Sequence, residues 1–150
     1  MSTLKRVLAL SLALVMVLSL NVFAADFSDK DEFDAVTAEA IDMLVELNIL
    51  AGFTDGSFQP NETITRAQAA KMIYVLCNKG VDDGAAKYVG GNTFHDVQPG
   101  SWYEGYVEFC YTTGVIIGRG NDSVSGKPVF DPNAAVTGYE LAKMLLVVGN

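Results

Sequence analysis

The same order of local signals occurs twice along this chain, and that duplication constrains its fold more than any other feature. One copy opens with Phe27-Ser28-Asp29 and the other with Phe94-His95-Asp96. An apolar stripe at helical spacing follows: Ala40, Ile41, Leu44 and Leu47 in the first, Tyr103, Tyr106, Val107 and Cys110 in the second. Each stripe ends at a residue suited to the left-handed conformation that closes a helix, Asn48 in one copy and Gly114 in the other. Phe58-Gln59-Pro60-Asn61 then matches Phe130-Asp131-Pro132-Asn133. Both second helices begin with a capping box, Thr65 with Gln68 and Thr137 with Glu140, and Ile64 and Val136 precede the caps. Those helices continue through Ala70, Ile73, Tyr74 and Cys77 and through Ala142, Leu145 and Leu146. The expected fold is all-α: tandem helix–loop–helix units whose apolar stripes must bury against one another, since one unit is too small to hold a core.

Residues 1–24 read as a secretory signal peptide. Lys5 and Arg6 precede an apolar run from Val7 to Leu20, and Val22-Phe23-Ala24 offers a cleavage site after Ala24. A helix of that run rises about 21 Å, short of the roughly 30 Å needed to span a bilayer. The remaining divisions are repeat one at 25–80, a linker at 81–93 and repeat two at 94–150. The Gly- and Asp-rich linker is the expected place for mobility or proteolysis. Removing Lys5 and Arg6 leaves 8 basic against 18 acidic residues, a net charge of −10 rather than −8. That acidity disfavours nucleic acid and anionic membranes as partners.

The ordered set of motifs resembles the S-layer homology repeat. Phe-x-Asp, the Ile-Leu-Ala-Gly tail at 49–52, Asp55-Gly56-Ser57-Phe58-Gln59-Pro60 and Ile64-Thr65-Arg66-Ala67-Gln68 carry the resemblance. In the second copy Trp102 stands where the family often has a Trp opening its first helix. The resemblance implies repeats that form part of a pseudo-threefold helical bundle. It also implies non-covalent attachment to a bacterial cell-wall glycopolymer, a secondary polysaccharide often bearing pyruvate ketals, and hence a location at the cell wall. No cofactor or metal is implied. Two departures stand out: Gly138 replaces the Arg that Arg66 supplies in the first copy, and two repeats stand where the family usually has three. The latter leaves room for a third repeat, a partner chain or a homo-oligomer.

The candidate ligand-binding residues are Arg66, Thr65, Asp55, Gly56 and Trp102. Arg66 would follow the Thr65 cap at the positive end of a helix dipole, where a cation and free backbone amides together can hold a carboxylate. The other reading, compatible in part with the first, is that it bonds a carboxylate of the chain itself, for instance Asp29 or Asp55, and fixes the helix–loop geometry. Trp102 could stack on a sugar ring or belong to the core with Tyr103, Tyr106, Phe109 and Tyr111. Asp29 and Asp96 are expected to tie down the first helices. Cys77 and Cys110 read as buried free thiols and His95 as a surface loop residue. The chain lacks a Gly-x-Ser-x-Gly elbow, a phosphate loop and a metal-binding His pair, so catalysis is not indicated. A dockerin-like calcium module is disfavoured, because Phe53–Gln59 holds one acid and puts Phe58 where a calcium loop needs an oxygen.

Overall fold

The computed structural model describes residues 26–149, so the expected signal peptide lies outside the described residues. Four α-helices follow in order: α1 (Ala35–Glu46), α2 (Arg66–Cys77), α3 (Glu104–Thr112) and α4 (Gly138–Val148), with 3-10 turns at Lys30–Glu32 and Ala86–Tyr88. No β-strand occurs among the described residues; two isolated antiparallel bridges join Thr65 to Ala135 and Asn121 to Pro128.

Local chemistry sets the helix ends. Both capping boxes form: Thr65 Oγ1 accepts from the Gln68 N–H while Gln68 Oε1 accepts from the Thr65 N–H, and Thr137 and Glu140 repeat the exchange. Asp34 caps α1 by accepting from the Thr37 N–H at 2.7 Å. Asn48 and Gly114 both take positive φ, 56° and 76°, and turn the chain back after α1 and α3.

The two copies also share a loop architecture. Asp29 accepts from the N–H groups of Phe58 and Gln59 at 2.9 and 2.7 Å, and Asp96 does the same for Phe130 and Asp131 at 2.7 and 2.6 Å. The opening Asp of each repeat therefore clamps the turn before the second helix rather than the first helix. Gln59 and Asp131, at φ 56° and 62°, occupy equivalent strained positions that this clamp holds. Gly52 and Gly118 lie against the opening aromatics. A Cβ at Gly52 would collide with the Phe27 ring and sit 2.8 Å from Ser57 O; at Gly118 it would lie 2.9 Å from Val129 O.

The repeats do not form separate units. The α2 N-terminus is sealed by the second repeat: the N–H groups of Arg66 and Ala67 donate to Ala134 O and Pro132 O, and Val136 N–H donates back to Ile64 O. Helix α2 is the central element, burying Ala67, Ala69, Ala70, Ile73, Tyr74 and Val75 against α3 and α4. Tyr74 meets Tyr106 and Phe109 edge-on at 5.4 and 5.0 Å. Phe94 and Phe130 are fully buried, each worth about 1.5–3 kcal/mol in apolar transfer.

The segment 81–93, expected to be mobile, is built into this core. Tyr106 and Tyr74 donate to Asp82 and Asp83, Ala85 is completely buried, and Ala86–Tyr88 packs on α3. Two buried carboxylates of α3 complete the attachment. Glu104 accepts from the N–H groups of Gly90 and Gly100, and Glu108 accepts from the Thr93 N–H and Oγ1. Composition suggested a linker; the tyrosine hydroxyls and glutamates that hold it lie outside the segment, so its own residues could not reveal the attachment.

The outer helices depart from the expected stripes. Of the expected first stripe, Ile41 is buried and Leu44 half-buried, while Ala40 and the C-cap residue Leu47 are exposed. In α4 the buried residue is Met144, with Leu141 half-buried, while Leu145 faces outward. Cys110 is buried, with its Sγ 3.6 Å from Ala70 O, but Cys77 at the end of α2 is exposed. Both thiols are free.

Candidate functional site

A cleft of about 430 Å³ lies beside the first repeat. It is lined by residues 48–53 after α1, by Phe58–Pro60 and Glu62–Ile64 of the loop before α2, and by Gln68, Lys71 and Met72 of α2. Asp82 and Trp102 close it from the segment between the repeats and the start of the second. The cleft is thus assembled from both copies. Trp102 is 56% exposed although it rests edge-on against Tyr103 at 5.4 Å and tilted on Tyr106 at 6.4 Å. Those two rings support the indole while more than half of the residue stays exposed. Phe53, also exposed, faces the same space. Gln59, Gln68 and Asn48 supply amides, so the lining joins aromatic area to neutral hydrogen-bonding groups, with Lys71 as its cation.

Of the residues singled out from the sequence, Trp102 lies on this cleft, and Thr65, Arg66, Asp55 and Gly56 lie elsewhere. Arg66 is 3% exposed. Its Nε donates to Phe130 O at 2.8 Å, its Nη1 to Glu140 Oε1 at 2.6 Å, and its guanidinium stacks 4.9 Å from the Phe130 ring centroid. Burial pushes the guanidinium pKa down, and the Glu140 charge pulls against that shift. The internal carboxylate that engages Arg66 belongs to the second repeat and is neither Asp29 nor Asp55. The expectation of free backbone amides beside it is corrected as well: carbonyls of residues 132 and 134 and the Thr65 hydroxyl take the first-turn N–H groups.

Glu140 is the hub of this junction. Besides capping α4 it receives Arg66 and a bidentate pair from Arg119, which also reaches Asp131 at 3.0 Å. Burial raises the Glu140 pKa, but the Thr137 N–H, Arg119, the Thr137 hydroxyl and Arg66 outweigh it and hold the carboxyl at about 2. Arg119 follows Gly118 as Phe53 follows Gly52, and its N–H donates to Val129 O as that of Phe53 does to Ser57 O, so the repeat pattern marks the position but not the charge.

Asp55 and Gly56 form the tight turn. Asp55 accepts from Ser57 N–H and Oγ, and Gly56 O accepts from Ser28 N–H. Asp55 borders a second, acidic hollow of about 380 Å³ shared with Asp29 and Glu32. Among the described residues no group of three or more His, Cys, Asp or Glu is placed to hold a metal ion. His95 is exposed, with Nδ1 3.2 Å from Ser125 Oγ.

The family model of the S-layer homology domain matches residues 26–70 and 93–142, more than half of the chain, and the chain belongs to that family. The chain is 33% identical over 105 residues to endo-1,4-beta-xylanase A of Thermoanaerobacterium saccharolyticum, covering 70% of this chain and 8% of that protein. It is 32% identical over 108 residues to S-layer protein sap of Bacillus anthracis, covering 72% and 12%, and 28% identical over 142 residues to the middle cell wall protein of Brevibacillus brevis, covering 91% and 12%. The chain therefore spans about a tenth of the length of these relatives. Family and relatives define a cell-surface anchoring module. No helix among the described residues is long and apolar enough to cross a membrane.

Proposed function

We propose that this chain anchors to the bacterial cell wall by holding a secondary cell-wall polysaccharide in the cleft bounded by Trp102. The observation that carries this reading is a half-exposed indole, supported by two tyrosines, on a cleft whose lining joins apolar and aromatic residues to amide side chains. Sugar rings present C–H faces that stack on aromatics and hydroxyls that amides bind, so such a surface suits a saccharide. Acidic substituents of such polymers, pyruvyl ketals among them, would lie against the polar wall of α2. In this reading Arg66 and Thr65 act at one remove: they hold the two repeats in the register that brings Trp102 over the first repeat's loop. Asp55 and Gly56 shape that loop.

Co-sedimentation of the purified protein with cell-wall sacculi, before and after acid extraction of the secondary polymer, tests this. Binding should disappear on extraction, and Trp102→Ala should weaken it by roughly tenfold with unchanged folding. Undiminished binding to extracted sacculi would place the ligand on peptidoglycan.

A second reading, assembly with a further repeat or chain, draws on the exposed Val36, Met43 and Leu47 of α1 and Tyr139 of α4. Light scattering decides: a monomer at all concentrations counts against self-assembly.

A further inference from the structure

The cleft has one charged contact that neither the helix caps nor the junction between repeats requires. Lys71 Nζ lies 2.9 Å from Asp82 Oδ2 and 5.8 Å from the centroid of the Tyr106 ring. Both members line the cleft, as Trp102 does. The Lys71 side chain is 43% exposed and that of Asp82 35%, so solvent reaches the pair and it contributes little to stability. Asp82 does not depend on it for its position. Its Oδ1 accepts from Tyr106 Oη at 2.5 Å and from the Gly84 N–H at 3.2 Å, and Oδ2 is the oxygen given to Lys71. The remaining charged residue of the lining is Glu62, another acid. With Lys71 neutralised by Asp82, the cleft has no cation to spare.

We infer that Lys71 is the residue by which this cleft tells an acidic saccharide from a neutral one, and that Asp82 is the internal anion an incoming carboxylate displaces from it. This rests on the reading of the cleft as the saccharide site. Trp102 and Lys71 line the same cleft, and a carboxylate that reaches Lys71 gains a charge-assisted hydrogen bond that a hydroxyl does not. The exchange costs little on the protein side. Asp82 keeps Tyr106 and Gly84, and the freed Oδ2 is exposed enough to be hydrated. The competitor also sets a threshold, since neutral ligands leave the Lys71–Asp82 pair intact and gain nothing from the charge. Because Asp82 lies in the segment joining the repeats, the exchange takes place where both copies meet the ligand.

The test is calorimetric titration of the purified protein with an N-acetylhexosamine carrying a 4,6-pyruvyl ketal and with the same sugar lacking it. The parent protein should favour the acidic sugar by about tenfold, the worth of one charge-assisted contact. Lys71→Gln should abolish that preference, bringing the two affinities to within about twofold of each other, and Lys71→Arg should retain it. Asp82→Asn keeps an acceptor for Tyr106 but removes the competing charge, so it should raise affinity for the acidic sugar several-fold. An acid preference that persists in Lys71→Gln, with binding still dependent on Trp102, overturns this inference alone. Failure of both sugars to bind the parent protein overturns the reading of the cleft and the inference with it.

Discussion

Arg66 shows how one side chain can join two repeats. A guanidinium buried to 3% exposure must have partners, and it finds a backbone carbonyl, an aromatic face and Glu140, all in the other copy. Removing one member of a buried ion pair leaves the other uncompensated. Arg66→Ala should therefore destabilise the fold by about 3–5 kcal/mol, read from denaturant midpoints. Glu140 supplies a pH signature. Its folded pKa is depressed to about 2 from an ordinary value of 4.5. The stability it contributes is fully present above about pH 4.5 and is lost as pH falls toward 2. Glu140→Gln should lower stability at neutral pH and flatten the acid limb between those values, as followed by thermal melts across pH. Trp102→Ala, by contrast, removes a half-exposed ring and should spare the melting temperature while weakening wall binding.

At the scale of elements, the segment 81–93 behaves as a strap. Its Gly90 and Thr93 amides end on buried carboxylates of α3, and its two aspartates accept from core tyrosines. Hydrogen exchange at Gly90 and Thr93 should accordingly be slow, at rates close to those of α3 itself. Glu108→Ala should release Thr93, speeding its exchange and costing about 1–3 kcal/mol for the groups left unsatisfied. Loops held by backbone-to-carboxylate bonds in this way can carry one side of a binding cleft without blurring it. That matters here, because Asp82 belongs both to the strap and to the cleft.

For the whole molecule, the sealing of α2 means that the N–H groups of Arg66 and Ala67 have their acceptors, the carbonyls of residues 134 and 132, in the second repeat. Helix α2 is also the one both α3 and α4 pack against. Residues 26–80 expressed alone should show no cooperative unfolding transition, whereas the full chain should unfold in one step by circular dichroism. Two transitions in the full chain would contradict this coupling.

The sequence by itself determined what depends on near neighbours. The duplication, both capping boxes, the left-handed closures at Asn48 and Gly114 and the family membership were legible, because caps and turns are three- to four-residue chemistry. Trp102 was visible as an aromatic beside a polar loop. Only the tertiary structure decided which apolar stripe is inside: α2 lies between two helices and buries its face, while α1 and α4 lie outside and expose theirs, although all three carry similar spacing. It also decided the fate of charges. Arg66 found its carboxylate 74 residues away, Glu108 found Thr93 at 15, and Lys71 met Asp82 on the lining of the cleft. Such pairings need two distant segments brought within about 3 Å, which packing sets and local pattern does not record.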